Sequence, residues 1–233
     1  MYKELERKKE RRGFQVNTLR LQFTYVFFLG LLAAICFGIV AGLVSTHKIA
    51  YFDSMVISFI QGFESPTLTK VMKFFTFVGS TAFVGIISIV ILIFLYKVLN
   101  HRLEMLLFMV VMAGTVILDQ ALKFSFHRER PTFHRLIEET GYSFPSGHSV
   151  EAFAMYGIVS FLLWRHIPAR AGRTIIIIIS VIMTLSIGIS RIYLGVHYPS
   201  DVIGGYLVSG FWLSLTIWYY QWYKEHRYQQ KSV

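Results

Sequence analysis

Long apolar runs cut by short polar breaks make up most of this chain. A helix that crosses a bilayer needs about 20 mostly apolar residues, and six runs approach that length. They predict spans over residues 21–44, 81–96, 105–124, 146–164, 175–194 and 201–220. The fifth opens on five consecutive isoleucines. The sixth runs into Trp218, Tyr219, Tyr220 and Trp222, an aromatic belt suited to a membrane–water boundary. Residues 49–77 follow a different pattern. Tyr51, Phe52, Val56, Phe59, Ile60 and Phe63 are interleaved with Asp53, Ser54, Ser58 and Gln61. Ser65-Pro66 breaks the segment, and Leu68, Val71, Met72 and Phe75 follow at helical spacing. This predicts two short amphipathic helices lying on the membrane surface, with an ordered loop as the alternative. No repeat, low-complexity tract or linker interrupts the pattern. The expectation is one all-α, polytopic membrane domain over residues 21–222, with a basic tail at 1–20 and a second tail at 223–233.

Composition sharpens this reading. Of 233 residues, 55% are hydrophobic, mean hydropathy is +0.54 and only five are proline, which excludes an ordinary soluble domain. A net charge of +10 would suggest nucleic acid in a soluble protein. Here it follows the loops. With six spans both termini share one side, and that side carries 15 of the 23 lysines and arginines. Lys3, Arg7, Lys8, Lys9, Arg11 and Arg12 lead them. The bias predicts cytoplasmic termini in a plasma membrane. Cys36 is the only cysteine and lies in an apolar run, so an intrachain disulfide and a cysteine-built zinc site are excluded. The first apolar run is too long for a signal-peptide core, and no cleavable signal peptide is evident.

Candidate chemistry sits in three blocks at the ends of apolar runs, all on the outer side. The first is Lys123-Phe-Ser-Phe-His-Arg-Glu-Arg130-Pro131, with Pro131 breaking the helix. The second is Pro145-Ser146-Gly147-His148. The third runs from Ser190-Arg191 through His197 to Asp201. Ionisable groups near a membrane default to functional roles. Arg130 offers a planar fork for two phosphate oxygens, and Lys123 a point charge. Asp119, one turn before Lys123, pairs with it. Gly147 permits a close backbone approach, and the helix opening at Ser146 presents unpaired N–H groups to an anion. Ser146 is expected both to cap that helix and to bond phosphate. Asp201 stands one turn beyond His197, where a carboxylate fixes the imidazole tautomer and frees the other ring nitrogen to attack. His148 supplies a second acid–base group. Glu151, one turn after His148, either senses a headgroup, tunes His148 or balances a motif arginine.

The string K-x6-RP, then PSGH, then SR-x5-H-x3-D resembles the three-part signature of the type 2 phosphatidic acid phosphatase family. All its signature positions are present, over about residues 119–201, and length and topology resemble the bacterial membrane members. The resemblance implies a phosphatase that needs no metal ion and no cofactor. In it His197 forms a phosphohistidine, His148 protonates the leaving lipid oxygen and then deprotonates water, and Lys123, Arg130, Ser146, Gly147 and Arg191 hold the phosphoryl oxygens. The implied partner is a phosphorylated lipid in a bilayer, with no obligate protein partner evident. Phosphatidylglycerophosphate leads, with undecaprenyl pyrophosphate next and phosphatidic acid third. A lipid or anion transporter built on the same cationic cradle is the alternative from another class, but transport does not need a His–Asp pair and a second histidine.

Overall fold

The structure is a computed structural model, and it describes residues 2–97, 101–132 and 134–230. The side chains of the basic N-terminal stretch, through residue 23, lie outside this description, as do residues 231–233 of the second tail. Among the described residues the chain forms eight α-helices: α1 Tyr2–Ser45, α2 Ala50–Gln61, α3 Pro66–Val78, α4 Thr81–Lys97, α5 Arg102–Phe126, α6 Gly147–His166, α7 Arg170–Tyr193 and α8 Pro199–Gln230.

Apolar side chains divide into two sets. Leu107, Phe108, Val111, Ala154, Ile158 and Leu162 close a core between α5 and α6, joined by Leu95 of α4 and Tyr220 of α8. A larger set faces outward, including Phe28, Leu32 and Ile35 of α1, Ile86 and Ile93 of α4, and Ile178 and Ile182 of α7. An outward apolar belt of this extent suits lipid and not water. Helix α1 lies along α8, and α6 is surrounded by α4, α5, α7 and α8.

The six predicted spans appear as α1, α4, α5, α6, α7 and α8, but they are not six equivalent apolar helices. Among the described residues four helices are long and apolar enough to cross a membrane alone, within Thr24–Ser45, Arg102–Phe126, Arg170–Tyr193 and Pro199–Arg227. Helices α3 and α4 qualify together as a fifth, bent by 50°. Helix α6 does not qualify, because polar residues such as His148, Glu151 and Arg165 lower its hydropathy, and it buries Ser149, Glu151 and Ser160 among its neighbours. Protein, not lipid, is the solvent for that helix.

Residues 49–77 form the two predicted short helices, but these do more than rest on a membrane surface. Ser65 caps α3 by accepting from the Leu68 N–H at 3.3 Å, with Pro66 in the first turn. Helix α2 buries Asp53 and Ile57 against the ends of α7 and α8. Helix α3 packs along α7. This pair of helices therefore forms a wall of the site.

Candidate active site

Helix α5 ends earlier than Pro131 would require. His127 turns left-handed (φ 48°) and its N–H closes on the Lys123 carbonyl at 3.1 Å. This leaves Lys123 in the last turn, where it donates to Asp119 Oδ2 at 2.8 Å, as the spacing predicts. The pair lies against the opening turn of α6. A Cβ on Gly147 would come within 2.9 Å of Lys123 Nζ and 3.2 Å of Asp119 Oδ2. Gly147 therefore makes room for the lysine, a role its place in the motif does not reveal.

His197 lies in the turn between α7 and α8 and is fully buried. Its backbone follows Gly195, whose left-handed φ of +74° brings it so close to the His134 carbonyl that a Cβ would clash at 2.4 Å. Arg130 Nη1 lies 2.9 Å from His197 Nε2. A guanidinium only donates, so Nε2 presents its lone pair and the ring proton of the neutral imidazole sits on Nδ1. That atom faces Asp201 Oδ2 and Ser143 Oγ, each at 3.4 Å. Burial first, then the positive charges of Arg191, Arg130 and Lys123, hold the imidazole well below its ordinary value. The ring is thus neutral, oriented and ringed by cations.

Arg130 is heavily engaged within the protein. Its other donors go to the carbonyls of Gly141, Val196 and Thr140, each at 3.0 Å. Most of the fork is spent bracing the loop before α6. Arg191 is the freer guanidinium. It is 1% exposed, donates to Thr76 Oγ1 of α3 at 3.1 Å and pairs with Glu139. Its Nε has no partner. The Glu139 carboxylate thus occupies part of the Arg191 fork.

The other predicted residues fall around this centre. His148 makes no hydrogen bond or ion pair among the described residues, and it lies half-buried near the cations Arg191, Lys123 and Arg130. Ser146 stands at the N-cap of α6, but its side chain does not cap. It accepts from Ser149 Oγ at 3.1 Å, and its backbone N–H reaches the Asp201 carbonyl at 3.0 Å. Capping by Ser146 is thus corrected, because Ser149 and the start of α8 claim its hydrogen bonds. Glu151 does not balance a motif arginine. Its carboxylate is buried and accepts from Thr81 Oγ1 at 2.8 Å.

Residues outside the predicted set complete the arrangement. Ser143 donates to Asp201 Oδ2 at 2.5 Å, and the Tyr198 N–H does so at 2.8 Å. Arg128 donates to Asp201 Oδ1 at 2.6 Å and to Asp53 Oδ2 at 2.7 Å. Arg128 sits inside the K-x6-RP string, and Asp53 is a lone acid in a mostly apolar helix; both signals were available. One further cluster lies at the far ends of α5 and α6. There His101 Nδ1 and His166 Nε2 each stand 3.1 Å from Glu104 Oε2, close enough in principle to share a metal ion. It is about 30 Å along α5 from Lys123, by helical rise, and takes no part in the site.

Residues 104–225 match the PAP2 superfamily, a stretch that takes in every predicted site residue, and the chain belongs to that superfamily. With this fold it is a membrane lipid phosphatase of the phosphatidylglycerophosphatase-like kind. It is similar to phosphatidylglycerophosphatase B of Bacillus subtilis, at 32% identity over 188 residues covering 75% of this chain and 90% of the relative. Its fold is similar to the crystal structure of the transmembrane PAP2-type phosphatidylglycerolphosphate phosphatase from Bacillus subtilis. That match has a TM-score of 0.73 and 28% identity and covers 81% of this chain and 94% of the other. It is also similar to the undecaprenyl-diphosphatase of Sulfolobus acidocaldarius, at 25% identity over 82% of this chain and 88% of the relative.

Proposed function

We propose that this chain removes the terminal phosphate of phosphatidylglycerophosphate, through a phosphohistidine on His197 and without a metal ion. The observation that carries the mechanism is the buried His197 imidazole, held with Nε2 facing Arg130 and Nδ1 facing Asp201. Similarity to the Bacillus subtilis phosphatidylglycerophosphatase B over three quarters of the chain supports the substrate.

The substrate phosphate displaces Glu139 from Arg191 and lies among Arg191, Lys123, Ser146 and the opening N–H groups of α6. Arg130 turns the N–H that now meets Nε2 onto a phosphoryl oxygen. His197 attacks phosphorus, the P–O bond to the lipid breaks, and His148 delivers a proton to the departing lipid oxygen. His148 then takes a proton from water, whose oxygen attacks phosphorus and releases inorganic phosphate, restoring His197. Fixed cations stabilise the charge on the equatorial oxygens in both steps. The loop charges support cytoplasmic termini and a site open to the outer face.

A second reading, hydrolysis of a lipid pyrophosphate, is favoured by the similarity to the undecaprenyl-diphosphatase over most of both chains. The deciding experiment incubates purified protein with phosphatidylglycerophosphate, undecaprenyl pyrophosphate and phosphatidic acid side by side, with EDTA present, and measures phosphate release. The expected result is highest kcat/KM on phosphatidylglycerophosphate, inhibition by vanadate, and no turnover or phosphoenzyme in His197→Ala. Binding without phosphate release would mean a transporter. Loss of activity in EDTA, restored by Mg²⁺, would refute the metal-free mechanism. A reporter fused after Val233 and cysteine labelling of residues 132–142 test the orientation.

A further inference from the structure

We infer that α2 positions the reacting pair: Asp53, acting through Arg128, locks the Asp201 carboxylate against His197. The inference rests on the reading of His197 as nucleophile and gives a role to a helix that lies outside the matched stretch of the family.

Asp53 is 1% exposed, and both its oxygens are engaged by groups far away in sequence. Oδ1 accepts from the Ser200 backbone N–H at 2.9 Å. Oδ2 accepts from Ser200 Oγ and from Arg128 Nη2, each at 2.7 Å. Ser200 belongs to the first turn of α8, where helical N–H groups have no partner in their own helix. Asp53 therefore caps α8 from a different helix, and Asp201 is the next residue in that turn.

Arg128 completes the link. Its Nη1 donates to Ser200 Oγ at 2.8 Å and to Asp201 Oδ1 at 2.6 Å, while Nη2 holds Asp53. One guanidinium thus spans two buried carboxylates, with its carbon 4.1 Å from the centre of the Tyr198 ring. Asp201 Oδ1 is held by Arg128, so Oδ2 is left to receive Ser143 and Tyr198 and to face His197 Nδ1. Asp53 is what keeps Arg128 in this pose. Without its charge, Arg128 is free to close its fork on Asp201 and draw the carboxylate away from the imidazole. In a buried site a misplacement of about 1 Å costs on the order of 100-fold in rate. None of the named Arg128 contacts reaches Lys123, Arg191 or His148, so the device orients the nucleophile and leaves phosphate binding to others.

The test uses the full chain in detergent or nanodiscs. Asp53→Asn keeps the shape and removes the charge. It is expected to lower kcat by about 10- to 100-fold, with the inhibition constant of inorganic phosphate unchanged within about twofold. Because the two residues act in series, Asp53→Asn combined with Arg128→Gln should be no slower than Arg128→Gln alone. Asp53→Glu should recover part of the loss. Active protein is counted by the phosphoenzyme burst, so misfolding registers as fewer sites and not as a lower kcat per site. An unchanged kcat per site in Asp53→Asn overturns the inference. So does a phosphate inhibition constant that rises as much as kcat falls, which would make Arg128 a phosphate ligand. His197→Ala is run in parallel: turnover there sinks the nucleophile assignment itself, whereas an inactive His197→Ala beside a normal Asp53→Asn sinks only the positioning role.

Discussion

Helices α5 and α6 carry ionisable clusters at both ends, and the two are wired differently. At one end, His101 and His166 converge on a single oxygen of buried Glu104, and Arg165 stands 4.0 Å from the other oxygen. That cluster closes on its own carboxylate. At the other end, Lys123, Arg130 and Arg191 crowd around His197 and His148, and several polar atoms have nothing to bond. Among the described residues Arg191 Nε and Asp119 Oδ1 are buried without partners, and His148 makes no hydrogen bond. Leaving such groups unsatisfied costs about 1–3 kcal/mol each. Buried charge alone therefore does not mark a binding site in this bundle. Around His197 the buried atoms without partners belong to charged groups, Arg191 and Asp119, whereas the others among the described residues, on Ser88, Tyr220 and Gln221, belong to neutral side chains.

The comparison can be broken most sharply at Arg191. Arg191→Lys keeps the charge and loses the fork, and should lower kcat/KM by about 100-fold; a loss under threefold would show that point charge suffices. The state of His197 comes next. Its imidazole lies well below the ordinary 6.5, so it stays neutral as pH falls through that value and is protonated only in more acid solution. The stability of this buried neutral ring is likewise lost on the acid side, because the unfolded chain takes up the proton first. Ring-nitrogen NMR shifts should remain those of neutral imidazole at pH 6, and a midpoint at 6.5 or above would contradict the electrostatic picture. A smaller effect is expected at Glu139. Glu139→Gln removes a half-exposed carboxylate that competes with substrate for Arg191, worth about 1 kcal/mol, so KM should fall by about fivefold. A rise in KM would mean Glu139 assists binding. The control is Glu104→Gln at the far end: it should lower Tm by a few degrees through a weakened buried hydrogen-bond cluster, while kcat per active site stays unchanged.

The three motif blocks were legible because each concentrates reactive side chains within a few residues at a helix end. Asp119–Lys123 and His197–Asp201 are one-turn pairs, and spacing alone locates their partners. Residues that act across the fold left no such trace. Arg128 meets Asp53 across 75 positions and Asp201 across 73, and Arg191 meets Thr76 across 115. Only tertiary packing creates those contacts. The pattern of residues 49–77 gave the helices correctly but not the helices they pack against, because an amphipathic face looks the same whether it rests on lipid or on protein. Helix α6 misled in the opposite direction: counted as an ordinary span, it buries Ser149, Glu151 and Ser160 and is enclosed by four other helices.

That enclosure bears on how the protein is made. A helix leaving the translocation machinery is judged largely by its own affinity for lipid, and ionisable residues count heavily against it. Helix α6 carries His148, Ser149, Glu151 and Ser160, and it becomes tolerable in the bilayer only when α5, α7 and α8 shield it. The same helices bring Lys123, Arg191 and His197 to its opening turn. Biogenesis and assembly of the candidate site are therefore coupled: a chain whose bundle is incomplete has neither a shielded α6 nor Lys123, Arg191 and His197 gathered at its opening turn.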